Sequence, residues 1–335
     1  MSGIGVIGYG YWGPNLVRNF MANPDTQVVS VCDRAQARLE KVAAIYPNVR
    51  TTDCPEHLIA DPTIDAVAIA TPVAAHFELA MAALMAGKHV FVEKPITTTS
   101  GQALQLIEEA IRRKLTLLVD HTFVYTGVVR KMRELITSPS FGQPRYFDST
   151  RVNLGLFQHD VNVLWDLAVH DLSIMSYVLD AKPVAVSATG HSHVAGQPEN
   201  IAFLTVFFPD DLIAHVNVNW LSPVKVRKTL VGGSKQMIVY NDLEAGEKLK
   251  VYDKGITVTD SADDMRKLLI GYRTGDLWSP RINETEALQV EVSHFVACIN
   301  GLEQPITSGE QGFEIVRILE AANMSMQNRG VPVDL

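Results

Sequence analysis

The sequence predicts an α/β protein: an N-terminal doubly wound parallel sheet, then an α+β domain with a large, mostly antiparallel open sheet. Three observations predict it. Residues 1–120 repeat a short apolar run followed by an amphipathic stretch, the rhythm of parallel strands joined by right-handed helical crossovers. A glycine-rich turn follows the first of these runs. After about residue 122, long alternating or β-branched runs succeed one another with turn residues between them, which is the pattern of antiparallel neighbours.

The candidate strands of the first part are Gly3–Gly8, Val28–Asp33, Ala66–Ala70, His89–Glu93 and Thr116–Val119. They are rich in Val and Ile, and several are apolar at consecutive positions, as strands covered on both faces must be. Between them Asn15–Met21, Ala35–Ile45, Ala75–Ala86 and Gly101–Arg113 read as helices. Gly87 fits the position just past a helix end, and Thr99 or Ser100 caps the next helix. Val124–Ile136 and Val163–Leu179 are helical in pattern. The strand signals that follow are Arg145–Val152, Ala185–His193, Ile201–Phe208, Leu212–Trp220, Val224–Val231 and Gln236–Tyr240. Residues 253–283 have weak periodicity and are expected to be irregular. Helices over Glu286–Asn300 and Gln311–Asn328 close the chain. The division expected is residues 1–122 and 123–335, in line with about 100–200 residues per domain.

Composition excludes several classes. The 335 residues are 47% hydrophobic and 20% charged, ordinary for a globular chain. Twenty-nine Lys+Arg against thirty-seven Asp+Glu give a formal charge of −8, which lacks the broad positive field that nucleic-acid binding needs. No apolar run approaches the length of a transmembrane helix, and Ile4–Val6 is too broken by glycine for a signal peptide. Cys32, Cys54 and Cys298 are too scattered for a disulfide framework or a zinc site. His191 and His193 share a strand face, but no third ligand accompanies them. The expectation is a cytoplasmic protein with reduced thiols, no metal, no membrane and no nucleic acid.

Gly8-Tyr9-Gly10-Tyr11-Trp12-Gly13 sits directly after the first strand and opens the first helix, and Asp33 ends the second strand twenty residues after Gly13. This is the register of a dinucleotide-binding, or Rossmann, unit. Gly8 permits the tight turn, Gly10 lets the backbone approach a pyrophosphate, and Gly13 packs helix on strand. Tyr11 and Trp12 lie within the same cradle, and the N–H groups of the helix start hold phosphates. Asp33 would accept hydrogen bonds from the adenosine ribose and repel a 2′-phosphate, which points to NAD. Arg34 beside it leaves NADP open. A glycine turn without a ligand is the alternative; strand, turn, helix and acid in register argue against it.

In such a sheet ligands lie beyond the carboxyl ends of the strands. There the chain reads Ala70-Thr71-Pro72, with His76 one helical turn further on, and Glu93-Lys94-Pro95. Pro95 forces Lys94 into an extended conformation, which aims its ammonium at the crevice. A solvated lysine paired with Glu93 explains the same residues. In the second part Asp166 and His170 stand at i,i+4, on one helix face. A carboxylate there orients an imidazole and raises its basicity, as a general base needs. The same spacing suits a structural pair worth about 0.2–0.5 kcal/mol. Asp171 points about 100° away from His170 and cannot orient it. Arg151 and Asn153 share a strand face, Asn162 precedes the Asp166 helix, and His121 follows a strand; each is a candidate for touching a polyhydroxylated substrate, and each has an ordinary structural reading.

These motifs, in this order and at these separations, resemble the glucose–fructose oxidoreductase/inositol dehydrogenase/rhizopine-catabolism (Gfo/Idh/MocA) family. The matching residues are Gly8–Gly13, Asp33, Ala70-Thr71-Pro72 with His76, Gly87-Lys88-His89-Val90 leading to Glu93-Lys94-Pro95, and Asp166-x-x-x-His170. The resemblance implies that Lys94 and His170 are catalytic, that Asp166 supports His170, and that Thr71, Pro72, His76 and Glu93 line the cofactor site. Lys94, His121, Arg151, Asn153, Asn162, Asp166 and His170 would face the substrate. A narrower resemblance is to members acting at C-3 of nucleotide-linked sugars, carried by Gly10–Asn15, His121-Thr-Phe, Arg151–Gly155, Asp160–Asp166 and Gly275–Pro280. Here Ala168-Val169-His170 stands where that group has Ala-Pro-His, and Leu156-Phe-Gln has no counterpart.

The resulting expectation is an NAD-dependent dehydrogenase or ketoreductase of a nucleotide-linked sugar, assembled as a homodimer or homotetramer through the second sheet. A free sugar or cyclitol is the alternative substrate. The rival class is an NAD(P)-binding sensor without turnover, which has no need of a general base.

Overall fold

Short apolar runs of the first 125 residues become one parallel sheet because both faces of its central strands are covered. Ala66–Ile69 and Leu117–Asp120 are buried at every position. In chain order the elements are β1 (Ser2–Ile7), α1 (Gly13–Ala22), β2 (Thr26–Cys32), α2 (Gln36–Ile45), β3 (Arg50–Thr52), α3 (Pro55–Ile59), β4 (Ala66–Ile69), α4 (His76–Met85), β5 (His89–Glu93), α5 (Ser100–Arg113) and β6 (Leu117–Asp120). The sheet order is β3-β2-β1-β4-β5-β6, parallel throughout. Its direction of growth reverses between β1 and β4, which opens a crevice at their carboxyl ends. The structure, a computed structural model, describes residues 1–155, 161–258 and 270–335.

The caps follow the residue types that stand there. Thr99 accepts a hydrogen bond from the Gln102 N–H at the start of α5. Gly87 takes φ +78° after α4, and Gly87 and Lys88 donate to Leu84 and Ala83 carbonyls, the left-handed helix stop that favours glycine. β3 and α3 went unread in the sequence, because the edge strand Arg50–Thr52 is exposed and carries no apolar pattern.

The second unit contains α6 (Gly127–Ile136), β7 (Pro144–Leu154), a π-helical turn (Leu164–Ala168), α7 (Val169–Val178), β8 (Ala185–His191), β9 (Ile201–Phe207), β10 (Ile213–Asn219), β11 (Leu221–Gly233), β12 (Met237–Asn241), β13 (Leu249–Tyr252), β14 (Gly255–Val258), β15 (Ile270–Arg273) and β16 (Leu277–Trp278). The chain ends with α8 (Ala287–Ile299), α9 (Gly309–Gln327) and β17 (Val333–Asp334). Nine strands form one sheet in the order β16-β13-β12-β11-β7-β10-β9-β8-β17. Every pairing is antiparallel except β7 with β10. On β10, Ala214, Val216 and Val218 are fully buried and Trp220 follows at 1% exposed, the alternation of a sheet with one covered face.

Residues 253–283 were expected to be irregular; 274–276 and 279–283 are, but the described part also holds three short strands. β14 pairs with β15, and β16 pairs with β13 at the sheet edge. Strands of two to four residues are too short to impose a readable period. Residues 259–269, like Leu156-Phe-Gln and Asp160, lie outside the described residues.

Two compact units divide the chain: Met1–Tyr125 with Thr285–Arg317, and Thr126–Glu284 with Ile318–Leu335. The sequence suggested one boundary after residue 122; the structure adds a return to the first unit. Leu288, Val292 and Phe295 of α8 join Ile4, Val6, Phe20 and Phe91 in one core. Phe20, Phe91 and Phe295 pack edge to face, with centroids 5.4–6.3 Å apart, a favoured aromatic geometry.

Candidate active site

Where the first sheet reverses, the Gly8–Gly13 turn closes on the loop after β4. Gly8 takes φ +97°, and a Cβ there would lie 2.3 Å from the Ala70 carbonyl oxygen. A Cβ on Gly13 would lie 2.1 Å from the Gly8 carbonyl oxygen. Gly10 differs: its Cβ would meet only the tip of Arg38, at 3.7 Å, so open space borders it. Trp12 caps α1 without a side-chain hydrogen bond, which leaves N–H groups for an anion. Tyr11 is 94% exposed.

Asp33 closes the far side of this cradle. Its carboxylate accepts from the Tyr9 N–H at 2.7 Å and the Ala35 N–H at 2.8 Å, and Arg38 approaches to 3.2 Å. Burial pushes the carboxyl up, but the Ala35 and Tyr9 N–H groups and the Arg38 guanidinium outweigh it and hold it below the usual range. A 2′-phosphate therefore meets a fixed negative charge, with only the exposed Arg34 and Arg38 to offset it. NADH is expected to bind at least about tenfold more tightly than NADPH, ~1.4 kcal/mol. Dissociation constants for the two check this; equal affinities would mean that the arginines accept the phosphate.

His76 joins two of the loops that the sequence singled out. It is 1% exposed, with Nδ1 2.8 Å from the Pro95 carbonyl and Nε2 2.8 Å from the Thr71 carbonyl. Burial holds its imidazole below the ordinary value, so the neutral ring donates to one carbonyl at a time. The Thr71 hydroxyl beside it is buried and meets no partner among the described residues. Pro72 follows and starts the turn into α4.

Lys94 is half-buried at the end of β5, joined to Pro95 by a cis peptide bond. Its charge is felt by His76, Glu93, Asp120 and His121. Glu93 and Asp120 are register partners on β5 and β6. Burial, with Asp120 nearby, pushes the Glu93 carboxyl well up. His121 is 1% exposed with neither ring nitrogen partnered among the described residues; burial and Lys94 push its imidazole down to about 3. Lys94 thus stands in a buried polar cluster that neither the sequence spacing nor the motif reveals.

In the second unit, Asp166 lies in the π-helical turn and His170 opens α7. Val169 donates to the Leu164 carbonyl, five residues back, where the sequence suggested a continuous α-helix. Such wide turns are frequent at functional sites. The Asp166 carboxylate accepts from the Trp220 indole N–H at 3.0 Å, and both Asp166 and His170 are half-buried. Trp220 thus holds one oxygen of Asp166, and its only sequence signal was an apolar place on a strand.

The other candidates have structural partners. Arg151 is 3% exposed, its guanidinium on the buried Asp171. Asn162 caps the π turn, accepting from Leu164 and Trp165 N–H groups and donating to Asn323. Asn153 is half-buried on the Arg151 face of β7. Among the described residues no three His, Cys, Asp or Glu side chains come together to hold a metal, and no helix is long and apolar enough to cross a membrane.

The cradle left open at Gly10, the free helix start, the held Asp33 and the orphaned Thr71 hydroxyl fit a dinucleotide. Fold and site define a dinucleotide-dependent oxidoreductase. Residues 2–121 match the model of an oxidoreductase family with an NAD-binding Rossmann fold, and residues 129–239 match the GFO/IDH/MocA C-terminal domain. The chain belongs to the Gfo/Idh/MocA family, whose cofactor is NAD. It is 33% identical to UDP-N-acetylglucosamine 3-dehydrogenase of Acidithiobacillus ferrooxidans over 58% of this chain and 60% of that one. It is 24% identical to the NAD(+)-dependent scyllo-inositol 2-dehydrogenase of Bacillus subtilis over 99% of this chain and 94% of that one. The solved structure of the Acidithiobacillus enzyme superposes with a TM-score of 0.82 at 24% identity, covering 98% of both chains.

Proposed function

We propose that this protein transfers a hydride between NAD and a secondary alcohol carbon of a sugar, C-3 of a nucleotide-linked sugar. NAD, when bound, supplies the hydride acceptor. As the alcohol becomes a ketone, the carbon gives up a hydride and the hydroxyl gives its proton to His170. The Lys94 ammonium stabilises the developing alkoxide by charge and hydrogen bonding, and Asp166 orients the imidazole. The observation that supports this reading best is Lys94 itself, half-buried at the carboxyl end of β5 among Glu93, Asp120, His121 and His76. The nucleotide-sugar substrate is drawn from the likeness to UDP-N-acetylglucosamine 3-dehydrogenase; scyllo-inositol 2-dehydrogenase supports the cyclitol alternative. The test is NAD reduction with UDP-N-acetylglucosamine, dTDP-sugars and scyllo- and myo-inositol in parallel. Turnover on inositols alone would overturn the nucleotide-sugar assignment, and binding of NADH without turnover on any would favour a sensor.

The reading includes a cytoplasmic setting, in keeping with three free cysteines, and a dimer or tetramer formed on the open face of the second sheet. Tyr146, Phe203 and Ile213 lie on that face, 37–43% exposed, apolar surface that a second chain would cover. Light scattering at micromolar protein is expected to read two or four chains; a monomer contradicts this assembly.

A further inference from the structure

Glu291 of α8 is 0% exposed, between Leu288, Val292 and Phe295, which are themselves 0–2% exposed. Neither of its carboxyl oxygens meets a hydrogen-bond donor among the described residues. The polar groups around it come from other elements of the first unit: Asp120 at the end of β6 within hydrogen-bonding reach, Thr122 beyond it, Glu93 at the end of β5, and Tyr125. Tyr125 has its own partner in the Thr307 hydroxyl at 3.0 Å. On α8 itself His294 is engaged with Glu303. Lys94 faces Asp120 and Glu93.

An ionised Glu291 would be a buried charge without a donor, which costs several kcal/mol. Asp120 is placed differently. Its Oδ2 accepts from the Trp12 indole N–H at 2.7 Å and its Oδ1 from the Thr122 hydroxyl at 2.5 Å. Burial raises the Asp120 carboxyl, but the Thr122 and Trp12 donors and the Lys94 charge favour its ionised form. Glu291, whose neighbour Thr122 gives its hydroxyl proton to Asp120, has an O–H of its own to offer. Burial, then Asp120, push the Glu291 carboxyl well above the usual range. A carboxylic acid beside a carboxylate forms a short, charge-assisted hydrogen bond.

We propose that Glu291 is a positioning residue for the dinucleotide turn: it donates its carboxyl proton to Asp120, and the Asp120 carboxylate in turn holds the Trp12 indole within Gly8–Gly13. Trp12 caps α1, so the arrangement sets the helix start that receives the pyrophosphate. The inference rests on the cofactor reading of that turn and not on the sugar.

The experiment uses NADH binding and two variants. Glu291→Gln keeps a donor toward Asp120; Glu291→Leu fills the apolar site without one. In protein labelled with ¹³C at glutamate carboxyls, the signal that disappears in Glu291→Gln is that of a carboxyl still protonated at about pH 8, far above the usual carboxylate range, while the Glu93 signal remains. Glu291→Gln binds NADH within about twofold of the parent. Glu291→Leu binds it at least about fivefold more weakly, with the Trp12 indole N–H resonance displaced and the melting temperature not lowered. Weaker binding without lower stability is what a merely structural glutamate cannot give. A carboxylate at Glu291 at pH 8, or equal NADH affinity in the two variants, overturns the proposal. A parent that binds neither NADH nor NADPH instead fails the cofactor reading, and the inference with it.

Discussion

His170→Asn is expected to lower kcat by about 10²–10⁴, and Lys94→Ala by about 10²–10³, each with NADH affinity within about threefold of the parent. The reason is positional. The dinucleotide cradle is Gly8, Gly10, Gly13 and Asp33, and its backbone contacts involve neither residue. His170 belongs to the second unit, and the role proposed for it concerns the proton of the reacting hydroxyl, a step that exists only once chemistry starts. Asp166→Asn is expected to cost less than His170→Asn, because the proposed role of Asp166 is exerted through the imidazole and the asparagine still offers an oxygen to the Trp220 indole. The measurement is kcat and the NADH dissociation constant for the three variants with the sugar identified above. More than a tenth of parental kcat in His170→Asn would make the histidine structural.

The first domain was legible because its physics is local. A strand buried on both faces must be apolar throughout, and Val67, Ile69, Val90, Phe91, Val92, Leu118 and Val119 are all fully buried. Glycine at positions 8 and 13 is dictated by contacts of 2.1–2.3 Å, which no other residue tolerates. β3, β13 to β17 and the return of α8 to the first core were not legible. Short edge strands bury little, and an amphipathic helix carries no label for the core it joins.

The site was legible as a set of positions and not as a set of contacts. Lys94, Asp166 and His170 stand out by spacing and motif. The groups around the site do not: Trp220, beside Asp166, is marked only by its place on a strand, and nothing in the sequence marks Arg38 beside Asp33 or Glu291 beside Asp120. Trp220 meets Asp166 from 54 residues away and Trp12 meets Asp120 from 108 residues away, while Arg38 reaches Asp33 across a turn of the backbone. Buried hydrogen-bond partners are long-range facts. Residue type shows that a buried polar group needs one; it does not say which.

Asp171→Asn is expected to destabilise the protein by about 3–5 kcal/mol, the largest loss among the single changes considered. Sequence spacing excluded Asp171 as the partner of His170, and the structure gives it another. Its carboxylate accepts from Arg151 Nε at 2.7 Å and Nη2 at 3.2 Å, and from the Ser149 hydroxyl at 2.7 Å. The two charged side chains are 4% and 2% exposed, so the asparagine leaves a buried guanidinium facing a neutral amide. Ser149 and Arg151 lie on one face of β7, and Asp171 is one residue beyond His170 on α7, so this ion pair fixes the helix that carries the imidazole. Replacing both partners, Arg151→Met with Asp171→Leu, is expected to restore more than half of the loss, since a packed apolar pair of similar volume often matches a buried ion pair. Urea denaturation measures all three proteins. The double variant also decides what Arg151 does: turnover with unchanged KM makes it the anchor of α7, and KM raised more than about tenfold in a protein of restored stability makes it a substrate contact.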